Sequence, residues 1–507
     1  MSDTSVVDNS TGKEKSRYTS GTIYKMIIAI TFLLAFGLIM IFSASSYGTA
    51  ASNFRSQLVF IVFGALAIWG LAFFPYGLYK KLTWPAYFLS LILTFLLLTP
   101  LGVNVNGATR WIQIPHIPFR IQIADIVKTL MIIFIASFIS SKWREMHKWQ
   151  TVIILWVLVG LQAGLLLVIS TNLSSCLVVL GICYCSTFIA SKNWKLHLGI
   201  LLIAVVVAVV YVKVATSYLP TEEELLSNDN FRAKRILGWL YTEKYEKSAG
   251  YQVIQSLYAI GSGSFFGKGL GNGTQKLSAI PEAQNDMIFA IICEELGVAG
   301  AIMLFLLYGY LLYQMYVIVK ESSNVFGSMM VIGVMVHLVC QIVINVSVAT
   351  NVIPNTGVTL PFISSGGSAL LMTMVECGMC IGIRRQQTRR VYQKHLNEWD
   401  LAQAHYNYAQ KIPSVIEKYV VEEVRKHLSS DMVHNPIGNT AVMHSHNTLP
   451  NMSQKYRKPI WEVPNCDLDS EDKSTIKGNA SSLYYPTREK YRAFAEAFLE
   501  RIATLDE

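Results

Sequence analysis

Asp286 is the residue in this chain best placed to do chemistry. It lies where a polar, glycine-rich stretch ends and the apolar run Met-Ile-Phe-Ala-Ile-Ile begins. A carboxylate at the edge of an apolar span is costly to leave unpartnered, which marks it as a functional candidate. The competing reading is helix capping, because Asn285 or Asp286 could accept the first free N–H groups of the next helix. Asp125 and Lys128 are three residues apart and so share one helix face. They form either a structural ion pair or part of a polar cavity. Arg232 and Arg235 repeat that spacing in the charged segment 221–249. Such charges make a solvated face, or at an outer mouth they grip a phosphate. The stretch GSGSFFGKG approaches a phosphate-binding loop, but Gly269 follows Lys268 where Ser or Thr is required, and the spacing from Gly261 is one too long. ATP binding is excluded, and the glycines instead permit close backbone approach to a ligand or another loop.

The elements that must hold these residues are membrane spans. The 507-residue chain is 52% hydrophobic and 15% charged, against about 25% charged in soluble domains. About ten runs approach the roughly 20 residues that a bilayer requires. They fall at 25–46, 57–76, 84–102, 122–140, 150–169, 174–191, 197–215, 286–319, 327–349 and 367–384. The 286–319 run is overlong and either starts outside the bilayer or tilts. The expected fold is an all-α polytopic membrane protein with a large extracytoplasmic loop, 217–285, between spans seven and eight. Residues 1–24 precede it as a cytoplasmic segment, the membrane domain covers 25–390, and 391–507 is a soluble cytoplasmic tail.

Basic residues set the orientation. Lys13, Lys15, Arg17 and Lys25 precede span one, and Lys80, Lys81, Lys142, Arg144, Lys148, Lys192, Lys195, Arg384 and Arg385 flank alternate loops. Both termini are therefore expected in the cytoplasm. The net charge of +9 faces anionic membrane lipid, and no basic run is interleaved with aromatics as a nucleic-acid groove needs. Seven of the eight cysteines lie in apolar spans, and neither Cys183/Cys185 nor Cys377/Cys380 has the second half of a zinc site. The N-terminus lacks the features of a cleavable signal.

Three other features matter. STNLSS (170–175) is a short outer turn in which Asn172 or Ser174 can cap a helix. His337, Gln341 and Asn345 form a polar stripe at i, i+4 and i+8 that faces other helices. The segment 351–371, with its prolines and glycines, reads as irregular backbone at membrane depth, tolerated only when buried in protein or lining a cavity. In the tail, Ile416, Tyr419, Val420 and Val424 have helical spacing, as do Tyr491, Phe494, Phe498 and Ile502, with a linker over about 430–485.

Four blocks taken together resemble one family, the SEDS proteins (shape, elongation, division and sporulation). They are GATRWI (107–112), GYQVIQSLYAIGSGSFFGKGLGNGTQKL (250–277), PEAQNDMIFAIICEELG (281–297) and IPNTGVTLPFISSGGSALL (353–371). Several long blocks in the right order are more specific than one short motif. The resemblance covers roughly residues 20–390 and implies a peptidoglycan glycosyltransferase. Such an enzyme polymerises lipid II on the outer face of the cytoplasmic membrane with a class B penicillin-binding protein. It puts the family's essential carboxylate at Asp286 and its charged pair at Asp125 and Lys128. The sequence departs from the family at several points. Gln122-Ile123-Ala124-Asp125 replaces Gln-Pro-Ser-Glu, which shortens the acid by one methylene. Thr171-Asn172-Leu173-Ser174-Ser175 replaces Pro-Asp-Leu-Gly-Thr and leaves that turn without an acid. Gln284-Asn285 stands for His-Thr, and Ser365 for Tyr.

The implied reaction is an inverting transfer, which needs a base near the acceptor hydroxyl and stabilisation of the departing pyrophosphate. Asp286 suits the base. Arg110, Arg232, Arg235, Lys268 and Lys276 are the candidate pyrophosphate holders, with the arginines weighted above the lysines for their paired grip. A divalent cation, Mg or Mn, would share that load, with Asp286 as a candidate ligand. No organic cofactor is expected. A lipid II flippase and a non-catalytic scaffold for a penicillin-binding protein are the rival classes.

Overall fold

A computed structural model of the protein describes residues 9–45, 50–105, 108–113, 120–215, 231–248, 250–275, 280, 283–322 and 324–387. All lie in the first of the two units into which the chain divides, Met1–Arg389. The helical stretches expected at 416–424 and 491–502, the linker between them, and Lys276 fall outside the described residues.

Among the described residues, nine helices are long and apolar enough to cross a membrane. The first four helices are α1 (Asn9–Ala44), α2 (Ala50–Phe73), α3 (Gly77–Lys81) and α4 (Thr83–Leu96). After three short strands come α5 (Ile123–Ser141), α6 (Trp149–Val168), α7 (Leu173–Ala190) and α8 (Trp194–Ala215). Next are α9 (Phe231–Leu240), α10 (Tyr251–Ser262), α11 (Ile288–Lys320) and α12 (Val325–Ala349). The last, α13, is Gly367–Gln387. The span expected at 84–102 is the exception to the ten-span reading. Its helix is α4, only 14 residues long, and turns follow it up to the first strand.

That first strand begins a small correction to the all-helical expectation. The outer segment forms a three-stranded antiparallel sheet, β1 (Gly102–Val105), β2 (Ala108–Ile112) and β3 (Ile121–Gln122). Val103 pairs with Trp111 and Trp111 with Gln122, with a register irregularity between Val103 and Asn104. Pairing Trp111 with Gln122 brings the GATRWI block to the start of α5, which carries Asp125 and Lys128.

The core is the packing of α5, α7, α11, α12 and α13. α12 touches α5, α7 and α11, and α1 lies along α11. The polar stripe of α12 is turned inward, with His337, Gln341 and Asn345 all buried. Asn172 caps α7 by accepting from Ser175 N, as the sequence suggests, and Asn324 caps α12 by accepting from Phe326 N.

The overlong run at 286–319 is resolved by a break in the helix. Within α11, Gly297 has φ 67° and ψ −162°, outside any helical conformation. A break at membrane depth frees backbone groups that must find partners. The glycine-rich segment supplies them. Val298 N donates to Ser264 O at 3.2 Å and Ala299 N to Phe265 O at 3.0 Å. In return Lys268 N donates to Glu294 O and Gly269 N to Glu295 O, both at 2.9 Å. This exchange requires glycine on both sides. Gly267 has φ +78°, and a Cβ there would overlap the Glu295 carbonyl, while one on Gly263 would overlap the Cys293 carbonyl. The close approach expected of the glycines is therefore made to the broken helix.

Candidate functional site

Asp286 lies half-buried in the turn 283–287, immediately before α11. The cap position of that helix falls on Met287, which makes no side-chain cap bond. Asp286 thus sits one residue outside the cap. Its turn is held by three consecutive backbone carbonyls. Gln284 O accepts from Ser365 N at 2.9 Å. Asn285 O accepts from Ser364 Oγ at 2.7 Å, and Asp286 O from Asn345 Nδ2 at 2.8 Å.

The donors on 364–365 come from the irregular segment 351–371, which is buried over 360–364 and half-buried over most of the rest. Asn355 Oδ1 accepts from Gly357 N, and Gly357 adopts φ +72°. A Cβ on Gly357 would lie 3.3 Å from Asp286 Oδ2. The bare Cα of Gly357 therefore forms one wall of the carboxylate's surroundings.

Charge reaches the site from α9. Trp239 Nε1 donates to Asn351 O at 3.0 Å, and Asn351 Nδ2 to Thr242 Oγ1 at 3.1 Å, which docks α9 on the same segment. Arg235, on that helix, is close enough to Asp286 for the two charges to act on each other. Burial pushes the Arg235 guanidinium below its ordinary value, and the Asp286 charge opposes that shift. Arg232 belongs to the same helix, but its side chain is outside the described residues. Arg110 reaches the region indirectly. Its Nη2 donates to Thr171 O at 3.2 Å, and Ser174 Oγ, in the same turn, donates to Thr356 O at 2.7 Å.

The other predicted residues have partners within the protein. Lys268 Nζ pairs with Glu294 Oε1 at 2.7 Å and also reaches Thr274. It helps fasten the glycine-rich loop to α11. Asp125 and Lys128 form a buried ion pair at 2.9 Å, with side chains 4% and 7% exposed. Ser368 Oγ adds a hydrogen bond to Asp125 Oδ2 at 3.0 Å, tying α5 to α13.

Sequence reasoning missed several buried carboxylates. Glu294 also accepts from Thr274 N, and Glu295 accepts from Ser43 Oγ and Gly271 N. Glu376 joins His337 Nδ1 at 2.7 Å to Thr129 Oγ1 at 2.6 Å. The signal was present in each case, since an acidic residue inside an apolar span demands a partner.

These features define a polytopic helical membrane protein that holds one carboxylate and a facing guanidinium beside an irregular, partly buried segment. The profile of the FtsW/RodA/SpoVE family, described as "Cell cycle protein", matches residues 24–389, and the chain belongs to this family. A relative in Trichlorobacter lovleyi named "Probable peptidoglycan glycosyltransferase FtsW" is 32% identical over 371 residues, covering 71% of this chain and 92% of the relative. Stage V sporulation protein E of Bacillus subtilis is 31% identical over 371 residues, covering 71% and 96%. Among solved structures, a chain from a peptidoglycan synthase complex that coordinates polymerization and crosslinking is similar at 26% identity and TM-score 0.59. The match covers 72% of this chain and 98% of that one.

Proposed function

We propose that this chain is a peptidoglycan glycosyltransferase. It polymerises lipid II into β-1,4 glycan strands at the outer face of the cytoplasmic membrane, in cell division or cell elongation. The observation that carries this reading is Asp286, its backbone held on three consecutive carbonyls and its side chain opposed by Arg235. The names of the FtsW relatives point to the same activity.

The 4-hydroxyl of the acceptor GlcNAc attacks C1 of the donor MurNAc, and undecaprenyl pyrophosphate leaves. An α-linked donor gives a β-linked product by one inverting displacement. Asp286 takes the hydroxyl proton as the new bond forms. Arg235 offers a positive charge to the departing pyrophosphate, with Arg110 and Arg232 as further candidate donors. Among the described residues no group of three His, Cys, Asp or Glu side chains is placed to hold a metal ion. A divalent cation, when bound, would share the pyrophosphate charge, with Asp286 as its candidate ligand.

A class B penicillin-binding protein is the proposed partner, in line with the similarity to a complex that couples polymerization to crosslinking. The deciding experiment supplies purified protein with lipid II in detergent, where there is no membrane to cross. Glycan polymer is the expected product. Lipid movement across vesicles without polymer would make the chain a transporter, and neither activity would leave a scaffold.

The proposed mechanism puts the 217–285 segment outside, and both termini are inside with α4 and the turns after it as a short tenth crossing. A cysteine placed at the exposed Lys247 is expected to react with an impermeant thiol reagent in intact cells. One placed at Lys81, also exposed, is expected to stay unlabelled until the cells are opened. The reverse pattern would overturn the orientation.

A further inference from the structure

Asn345 is the last residue of the buried polar stripe on α12 and is 1% exposed. Its Nδ2 donates to two backbone carbonyls, Asp286 O and Val358 O, each at 2.8 Å. Two carbonyl acceptors leave no ambiguity about the amide's orientation, because an amide oxygen in that place would face two other oxygens. The two carbonyls belong to the two segments that meet at the carboxylate. One belongs to Asp286 itself. The other belongs to Val358, the neighbour of Gly357, whose missing Cβ leaves room for Asp286 Oδ2. A single amide group on a core helix therefore ties the residue that carries the carboxylate to the segment that carries its wall.

We propose that Asn345 is a positioning residue for Asp286, acting through the backbone and without touching substrate. The proposal rests on Asp286 being the general base. Its chemistry is specific to a primary amide. One nitrogen must supply two N–H donors without carrying charge. Asp at this position would turn oxygen toward two carbonyls. Leu would leave both carbonyls buried and unpaired, and Ser has one donor. Misplacing a reacting group by about 1 Å can cost about 10²-fold in rate, so a residue that only holds backbone can have a catalytic-sized effect.

A purely structural role, joining α12 to the 351–371 segment, would also harm the protein when removed. The two roles separate in a double-mutant cycle with Asp286→Asn, reading kcat and KM for lipid II polymerisation and the melting temperature of each purified variant. Asn345→Ala is expected to lower kcat about 10²-fold in the native background, with KM changed less than about threefold. In the Asp286→Asn background the same substitution is expected to leave the residual rate within about twofold, because the group it positions is already disabled. Equal losses in both backgrounds would overturn the proposal, as would full kcat for Asn345→Ala. If Asn345→Ala does not accumulate, Asn345→Ser, which retains one donor, enters the same cycle with an intermediate loss expected and the same non-additivity. Full activity of Asp286→Asn alone would overturn the base assignment and this proposal with it. Loss in Asp286→Asn with additive loss from Asn345 would overturn only the positioning role.

Discussion

Asp286→Asn is expected to polymerise lipid II about 10²–10⁴-fold more slowly than the native protein, the usual cost of losing a general base. Folding should be spared. Asp286 lies outside the helix cap, the substitution is isosteric, and the bonds that hold the turn act on the carbonyls of 284–286. Melting and membrane abundance are thus expected to match the native protein. A cap would behave differently, giving near-normal polymerisation with Asn. The rate should be measured over a range of divalent cation concentrations, since recovery at high cation would make Asp286 a ligand and not a base. Normal activity at ordinary cation levels would remove both chemical roles.

Lys128→Met is the change expected to cost most in stability. The Asp125–Lys128 pair is buried, and removing the cation strands a carboxylate that only Ser368 Oγ still meets among the bonds described above. Breaking one side of a buried pair costs about 3–5 kcal/mol, which should appear as a clearly lowered melting temperature and reduced abundance. Asp125→Asn combined with Lys128→Met removes both charges and is expected to recover part of the loss. Unchanged melting with abolished polymerisation would mean that Lys128 serves the substrate.

Much of this architecture was legible because a bilayer imposes simple demands. Each crossing needs an uninterrupted apolar run, and the helices of crossing length fall where the runs predict. The shortened helix Thr83–Leu96 was not legible, since Leu97, Leu98 and Leu101 are apolar whether the chain is helical there or turning. The break at Gly297 was hidden for a related reason. A lone glycine in an apolar run is tolerated in a helix, and only a neighbour able to take up the freed backbone groups makes it a break. That neighbour is 264–269, brought alongside by tertiary structure alone. The rule that flagged Asp286 applies equally to Glu294, Glu295 and Glu376. What separates them is the partner. Glu294 has Lys268, Glu295 has Ser43, and Glu376 has His337, whereas Asp286 faces an arginine next to the segment where substrate is proposed to bind. Pattern alone finds carboxylates that need partners but does not say whether protein or substrate provides them. Lys268 shows the converse, since a lysine in a glycine-rich loop suggests an anion site, and the anion it meets within the protein is the Glu294 carboxylate.

The broken helix also bears on the order in which the chain is assembled. During synthesis, residues 264–269 are made before 294–299, so the loop exists for a time with no helix to bond. Through that interval its amides and carbonyls must find partners other than that helix. The later stretch, made next, can satisfy itself as one straight helix through Gly297. Only when the loop docks does a kinked helix become as well bonded as a straight one. A kinked helix therefore goes with a docked loop, while Asp286 is set separately, by the bonds that Ser364, Ser365 and Asn345 make to its turn.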